Sequence, residues 1–195
     1  MTRTLIDILL WFCALGCALL GGLYYAFSAF IMRALAEIGA PGVAAMNSIN
    51  AVIVRSSFMF FFLGTTLGCA ALAVYGLIAD DPRRWLMVGG GVVYVAGMFG
   101  VTMLFNVPLN NALASAGEQH WPQYLARWTR WNHVRTITSM GAAALFIAAI
   151  AGLVPAPTTQ RGYSVSGIST IDSNGTPLAL AALSTAEKLG ASYTQ

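Results

Sequence analysis

Charged side chains are scarce in this sequence: Asp, Glu, Lys and Arg make up 9% of its 195 residues, whereas 57% of the residues are hydrophobic. Soluble globular domains are about 25% charged. The shortage of charge therefore indicates a membrane protein, and the length allows one domain. We expect the lipid bilayer to be its main surroundings.

Basic blocks and metal-binding spacings are also missing. The ten basic residues are spread along the chain, so we expect no nucleic-acid partner. Cys13, Cys17 and Cys69 lie in apolar runs without a Cys-x-x-Cys or Cys/His spacing, and we interpret them as small buried hydrophobes. We predict no cofactor and no metal. Haem or a metal held through His120 or His133 is the minor alternative, because such a site needs further ligands.

Long apolar runs, in contrast, are abundant. Four of them are long enough to cross about 30 Å of hydrocarbon, at residues 5–32, 57–79, 85–105 and 131–153. We predict an all-α fold, an integral membrane four-helix bundle formed by residues 1–154. The 43–55 segment is too short to span and is predicted to be a short extra interfacial helix. Residues 155–195, rich in Ser, Thr and Gly, are predicted to be a mobile polar tail.

The membrane orientation depends on how the basic residues divide between the two sides. Four spans would place both termini on one side, together with Arg3, Arg83, Arg84 and Arg161. The opposite side would carry Arg33, Arg55, Arg127, Arg130 and Arg135. These counts are too close for the positive-inside rule to decide. If several of the second group face a site, cytoplasmic termini are favoured, and we expect the cell's inner membrane.

Most of the polar chemistry lies between residues 105 and 135. Trp121, Tyr124, Trp128, Asn132 and Arg135 follow spacings of three and four, so they form one stripe on a helix. Flat aromatic rings that end in Asn and Arg are suited to stack on a planar ring and to bind its oxygens. The alternative is an interfacial aromatic belt with an arginine that reaches the headgroups. That alternative explains the tryptophans better than it explains Asn132 and Arg135.

Further polar residues complete the candidate site. Asn106 and Asn110 are four residues apart, and their amides either hold a carbonyl or a phenol or satisfy their own helix end. Tyr24 and Ser28 are one turn apart and share a helical face, which either lines the same cavity or belongs to an interfacial aromatic belt. Asn47 and Asn50 share a face of the short helix, where they are either wet or hydrogen-bonded inside the protein.

The segments FNVPLNNALA and WPQYLARWTRWNHVRT resemble the anthrone oxygenase family of small four-helix membrane proteins. GGLYYAFSAFIMRAL and MNSINAVIVRSSFMF fit the first half of that family, so the resemblance covers about residues 10–153. It implies a four-helix membrane bundle. In the characterised members it implies oxidation of an anthrone to an anthraquinone by dioxygen without a bound cofactor. The matching positions here are Asn106, Pro108, Asn110, Trp128, Asn132 and Arg135.

These observations predict a membrane-embedded, cofactor-independent monooxygenase that acts on a planar lipophilic phenolic or quinol-type substrate. In this hypothesis His133 removes an activated proton. Arg135 and Asn132, with Asn106 and Asn110, stabilise the oxyanion, and the carbanion reacts with dioxygen. The substrate is bound by Asn106, Asn110, Trp128, Tyr124, Tyr24, Asn47 and Asn50.

A second hypothesis has no catalysis. The chain would be a small membrane subunit, or a lipid- or quinone-binding accessory protein of a larger complex. Its motivation is the small number of ionisable groups in the apolar runs. A lipophilic aromatic small molecule is the expected ligand of the enzyme, and a homo-oligomer or a larger membrane complex is the expected assembly.

Overall fold

The computed structural model describes residues 2–153, and all regular structure in this range is helical. The α-helices are α1 (Thr2–Ala26), α2 (Met32–Glu37), α3 (Ala40–Ile53), α4 (Phe58–Ile78), α5 (Arg84–Tyr94), α6 (Val107–Ala116) and α7 (Trp121–Ile150). A π-helical segment, Phe27–Ile31, joins α1 to α2 as one rod. Two more, Val95–Gly100 and Thr102–Asn106, join α5 to α6 as another. The predicted polar tail, residues 155–195, lies outside the described residues.

The chain runs up and down through four rods: α1–α2, α4, α5–α6 and α7. Gly90 lies against Phe146, whereas Gly97, farther along the same rod, lies against Thr138, so the last two rods are antiparallel. Contacts at the glycines of α1, α4 and α5 show the same reversal between the other successive rods. The described ends of the chain, near residues 2 and 153, therefore lie at the same end of the bundle.

Three helical stretches are long and apolar enough to cross a membrane: Arg3–Glu37, Phe58–Ile78 and Arg84–Ile150. The third contains both of the last two rods. The chain reverses within it at Gly117, whose φ of 58° lies in the left-handed region that favours glycine. Large apolar side chains such as Leu67, Leu104 and Ile137 face outward, where lipid rather than water suits them. The prediction of an all-α membrane helical bundle is confirmed.

The helices extend beyond the predicted apolar runs. The last helix begins at Trp121, well before the run at 131–153, and α6 continues to Ala116, beyond the run at 85–105. Pro122 suits the first turn of α7, where its missing N–H costs no helical hydrogen bond. The polar stripe is therefore part of a long helix, and it faces the inside of the bundle.

The short helix α3 packs on the bundle. Val43 and Met46 are buried and form a cluster with Met32, Leu113 and Trp121. This cluster places α3 over the end of the bundle at which α7 begins, with its outer face exposed. The short helix of the predicted 43–55 segment thus becomes one wall of the candidate site.

Candidate functional site

The predicted stripe on α7 lies on one buried face. Trp121, Tyr124, Trp128, Asn132 and Arg135 are each no more than 7% exposed. The rings of the three aromatic residues are stacked in series, with successive centroids 5.6 and 6.1 Å apart. An aromatic belt would place these rings at the lipid-facing surface. The burial therefore favours the interpretation of the stripe as an internal site.

Asn132 ties α7 to the end of α1. Its Nδ2 donates to the carbonyl oxygen of Tyr24 and to the hydroxyl of Ser28, both at 2.6 Å. Its Oδ1 accepts a hydrogen bond of 2.5 Å from Nη2 of Arg135. Both ends of the amide are engaged within the protein, so Asn132 positions the arginine and is not free to bind a ligand.

Arg135 is a buried cation held by neutral partners. Its Nη1 donates to the hydroxyl of Thr102 at 3.5 Å, and its Nε has no hydrogen-bond partner. The guanidinium carbon lies 4.3 Å from the ring centroid of Tyr24 and 5.0 Å from that of Trp128. Within residues 2–153, the ion pairs shorter than 4 Å all belong to Arg83. A buried charge needs compensation, so this site is suited to an anionic oxygen.

A cavity of about 150 Å³ opens in front of this arginine. Its polar lining residues are Tyr24, Asn50, Thr102, Asn110, Trp128 and Arg135. The remaining lining is apolar and comes from α1, α3, α4 and the α5–α6 rod. The described lining includes no carboxylate and no imidazole. The cavity thus combines a cation and amide groups with aromatic walls in a water-poor setting, which strengthens each electrostatic interaction.

The predicted asparagines divide into two groups. Asn110 accepts a hydrogen bond of 2.9 Å from the hydroxyl of Tyr124, and both Asn110 and Asn50 reach the cavity. Asn106 is buried beside it: its Nδ2 donates to the carbonyl oxygen of Trp128 at 3.4 Å, whereas its Oδ1 has no partner. Asn47 is half-buried and is not part of the cavity lining, and its Oδ1 is also unpaired.

A π-helical segment shapes the wall that carries Thr102 and Asn106. Pro108 has no N–H to give to the carbonyl four residues earlier. The helix widens just before it, and the N–H of Val107 bonds to the carbonyl of Thr102 five residues back. Wide turns of this kind are frequent at functional sites. Here the turn carries the Thr102 hydroxyl that accepts from Arg135.

The structure does not bring the two histidines to the cavity. His133 is exposed on the outer side of α7, although it neighbours Asn132 in sequence. His120 lies in the turn before α7 and is half-buried. Within residues 2–153, no three His, Cys, Asp or Glu side chains are grouped so that they could hold a metal ion. The role of general base predicted for His133 is therefore not supported by its position.

Thr102 contributes to the site but was not among the predicted residues, whereas Ser28 was predicted only through the helical face that it shares with Tyr24. Thr102 precedes Asn106 and Asn110 at intervals of four, so the helical spacing that linked the two asparagines also leads to it. Ser28 follows Tyr24 by one turn and contacts Asn132. The apolar cavity residues of α3 and α4 could not be found from helical spacing. Their contact with the cavity depends on how α3 packs on the bundle, which the spacing does not determine.

Comparison with known proteins gives one family. The model of the family described as anthrone oxygenase matches residues 55–145. This part of the chain, which is a little under half of it, is therefore similar to the anthrone oxygenase family. The match contains α4, α5, α6 and most of α7, so it includes Thr102, Asn110 and Arg135. No curated protein and no solved structure matches the chain.

The matched residues supply only part of the cavity lining. Tyr24 and Ser28 on the first rod, and Asn50 on α3, precede the match. The resemblance noted over residues 10–54 therefore stays a prediction. What connects the two parts physically is the hydrogen bonding of Asn132 to Tyr24 and Ser28.

Proposed function

We propose that this protein, like the family that residues 55–145 resemble, binds a planar lipophilic phenolic or quinol-type substrate as its oxyanion and oxidises it with dioxygen, without a cofactor. The observation that carries this proposal is the cavity in front of Arg135. There, a buried guanidinium without a carboxylate partner faces a space bounded by the rings of Tyr24 and Trp128. An oxyanion in this space would compensate the charge, and its ring would contact the aromatic walls.

The reaction with an anthrone balances without a further reductant. Loss of one proton from the CH₂ group gives an anion whose charge is shared between that carbon and the carbonyl oxygen. The anion gives its electron pair to dioxygen, a C–O bond forms, and one proton completes the hydroperoxide. The O–O bond then breaks as the remaining hydrogen on that carbon leaves as a proton. The products are the quinone, which keeps one oxygen atom, and water, which takes the other.

The protein's part in this reaction is electrostatic. Arg135 stabilises the oxyanion and so lowers the pKa of the bound substrate. Asn110 and Asn50 offer amide groups at the same cavity. We infer that the proton passes to water during binding, because the described cavity lining contains no carboxylate or imidazole. Dioxygen is apolar and reaches the site through the bilayer.

The test is oxygen uptake together with quinone formation by the purified chain in lipid nanodiscs, with an anthrone as substrate. Arg135→Lys keeps the charge but loses the planar fork of donors. We expect it to lower the rate about ten- to a hundredfold, as for the loss of a charge-assisted hydrogen bond worth roughly 1.5–3 kcal/mol. Arg130→Lys is the matched control, since Arg130 is exposed on the same helix. Equal rates for both variants would contradict the proposal.

A second candidate function is ligand binding without turnover, as a quinone- or lipid-binding accessory protein. The exposed position of His133 and the absence of a base among the described cavity residues favour it. The same experiment separates the two. Binding of an aromatic ligand that depends on Arg135, without oxygen uptake for anthrones or hydroquinones, would identify the accessory protein.

A further inference from the structure

A second space adjoins the cavity on the side of α3. This outer groove measures about 440 Å³, and its eight lining residues include Ser48, Val52 and Ser56. Five of these residues also line the inner cavity: Leu23, Phe27, Ile49, Ile53 and Phe58. These half-buried apolar side chains therefore border both spaces, between the end of α1, the last turns of α3 and the start of α4.

The inner cavity is too small for a large ligand. A cavity of about 150 Å³ in another protein accommodates one benzene molecule, and ligand pockets for larger molecules measure about 300–1,000 Å³. The inner cavity, at about 150 Å³, thus has room for about one ring next to Arg135. Any further ring or chain must extend beyond it, and the outer groove shares a wall of five residues with it.

The outer groove opens on an apolar surface. Val52, in its lining, is 62% exposed. In a chain with helices apolar enough to cross a membrane, such a surface faces lipid. A ligand dissolved in the bilayer can therefore reach the groove directly.

We propose that the ligand has two parts: an ionisable oxygen-bearing ring bound at Arg135, and an apolar extension that lies in the outer groove. The ligand enters sideways from the bilayer, between α1, α3 and α4. This inference rests on the proposed function for the ring, and it adds the class of ligand, a ring with an apolar extension. The occupant of the groove is the extension of the same ligand, because five side chains border both the groove and the cavity.

The experiment compares two probes, hydroquinone and a hydroquinone with a ten-carbon alkyl chain, by equilibrium binding to the full chain in nanodiscs. Val52→Trp and Ser48→Trp add bulk to residues that line only the outer groove. Ala44→Trp is the control, because Ala44 is exposed on the same helix and lines neither space. Partitioning of each probe into lipid is the same for every variant, so it cancels in the comparison with the unmodified protein.

We expect the groove variants to weaken binding of the alkylated probe relative to hydroquinone by about tenfold, and Ala44→Trp to leave this ratio unchanged. If both probes weaken equally, or if neither weakens, the inference is overturned. Either result would mean that the alkyl chain of the probe does not lie in the groove, which is then empty or filled by a lipid chain.

A second measurement uses the unmodified protein and so does not depend on variants that fold. An alkylated hydroquinone with a photoreactive group at the chain end should label the peptide at residues 48–56, and excess unlabelled probe should remove this label. Labelling of other helices that competes in the same way would overturn the inference. Neither measurement involves oxygen, so failure of the oxidation proposal alone would leave both results interpretable.

Discussion

Arg135 donates a hydrogen bond of 2.5 Å to the side-chain oxygen of Asn132, one turn earlier on α7. The other end of the same amide is tied to Tyr24 and Ser28 on the first rod. The position of the guanidinium therefore depends on a contact between the first and last rods of the bundle. The asparagine fixes the arginine without neutralising it, and this leaves the positive charge for an anion in the cavity.

A carboxylate placed beside Arg135 should neutralise its charge and so weaken the binding of an anion in the cavity. Thr102→Asp would set an acidic side chain where the hydroxyl now accepts from Nη1 at 3.5 Å. The resulting ion pair neutralises the cation, so affinity for a phenolate should fall about ten- to a hundredfold, the equivalent of a charge-assisted hydrogen bond. Thr102→Val, which leaves the charge unpaired, should lower it much less. Equal affinities for the two variants in an equilibrium titration would mean that the charge of Arg135 does not bind the ligand.

Much of this arrangement could be predicted from helical spacing. The intervals of three and four between Trp121 and Arg135 identify one face, and the structure buries that face. The same helical spacing places His133 on a different face of α7 from Arg135. Residues in a helix advance by about 100° each, so His133 is turned about 200° away from Arg135. His133 was predicted to be the base because it is close to Asn132 and Arg135 in sequence. Its contacts, however, depend on which side of the helix it occupies.

Removing the Asn132 amide should weaken the bundle. Asn132→Leu deletes hydrogen bonds to Tyr24, Ser28 and Arg135. Interhelical hydrogen bonds in membrane proteins contribute about 0.6 kcal/mol each on average, and an orphaned buried partner adds to the cost. We expect the free energy of unfolding in mixed micelles to fall by about 1–3 kcal/mol. The control Asn111→Leu replaces an exposed amide on α6 and should change the free energy of unfolding little. A stability loss shared by both variants would contradict the role given to Asn132.

The docking of α3 was the part that sequence determined least. Its helical nature follows from its composition, and Pro41 lies in its first turn. Whether Asn47 and Asn50 are wet or internal depends on which face meets α6 and α7, and no spacing within α3 specifies that. The cluster of Val43 and Met46 with Trp121 decides it, since these contacts turn Asn50 toward the cavity.

Within the triple glycine 89–91, Gly90 and Gly91 allow close helix packing, as their place in an apolar run suggests. A Cβ atom on Gly91 would collide with the backbone carbonyl of Cys69 and with the side chain of Ala73 on α4. Gly91→Ala should therefore destabilise the bundle by about 1–3 kcal/mol. Gly22→Ala is the control, because a Cβ there meets no atom within 4 Å, and alanine favours a helix by about 0.8–1.0 kcal/mol over glycine. Thermal unfolding in detergent should separate them, and equal midpoints would exclude close packing at Gly91.

The turn between α4 and α5 should make stability depend on pH in acid. Asp81 accepts hydrogen bonds from Arg83 through the backbone N, Nε and Nη2, at 2.8, 3.0 and 2.9 Å. These bonds hold the pKa of Asp81 below its ordinary value. A carboxylate with a lowered pKa stabilises the fold above its ordinary pKa of about 3.9, and this contribution disappears as the pH falls through the lowered value.

The variant Asp81→Asn should accordingly melt at a lower temperature at neutral pH, and its melting temperature should fall less below about pH 4 than that of the unmodified protein. Asp80→Asn changes the neighbouring exposed carboxylate and serves as the comparison. If the melting temperatures of the unmodified protein and of Asp81→Asn change in parallel with pH, the ionisation of Asp81 does not contribute to the acid dependence of stability.

The most direct test of the account is the ionisation of a phenolic ligand in the cavity. The absorbance of a bound phenol whose spectrum changes on ionisation can be titrated in nanodiscs with the full chain and in empty nanodiscs. A cation at the site favours the ionised form, so the account predicts a lower pKa for the ligand bound to the unmodified protein than in lipid alone. The shift should disappear in Arg135→Met and persist in Arg130→Met. A ligand that binds only in its neutral form, or an equal shift without the guanidinium of Arg135, would contradict the claim that this arginine binds an oxyanion.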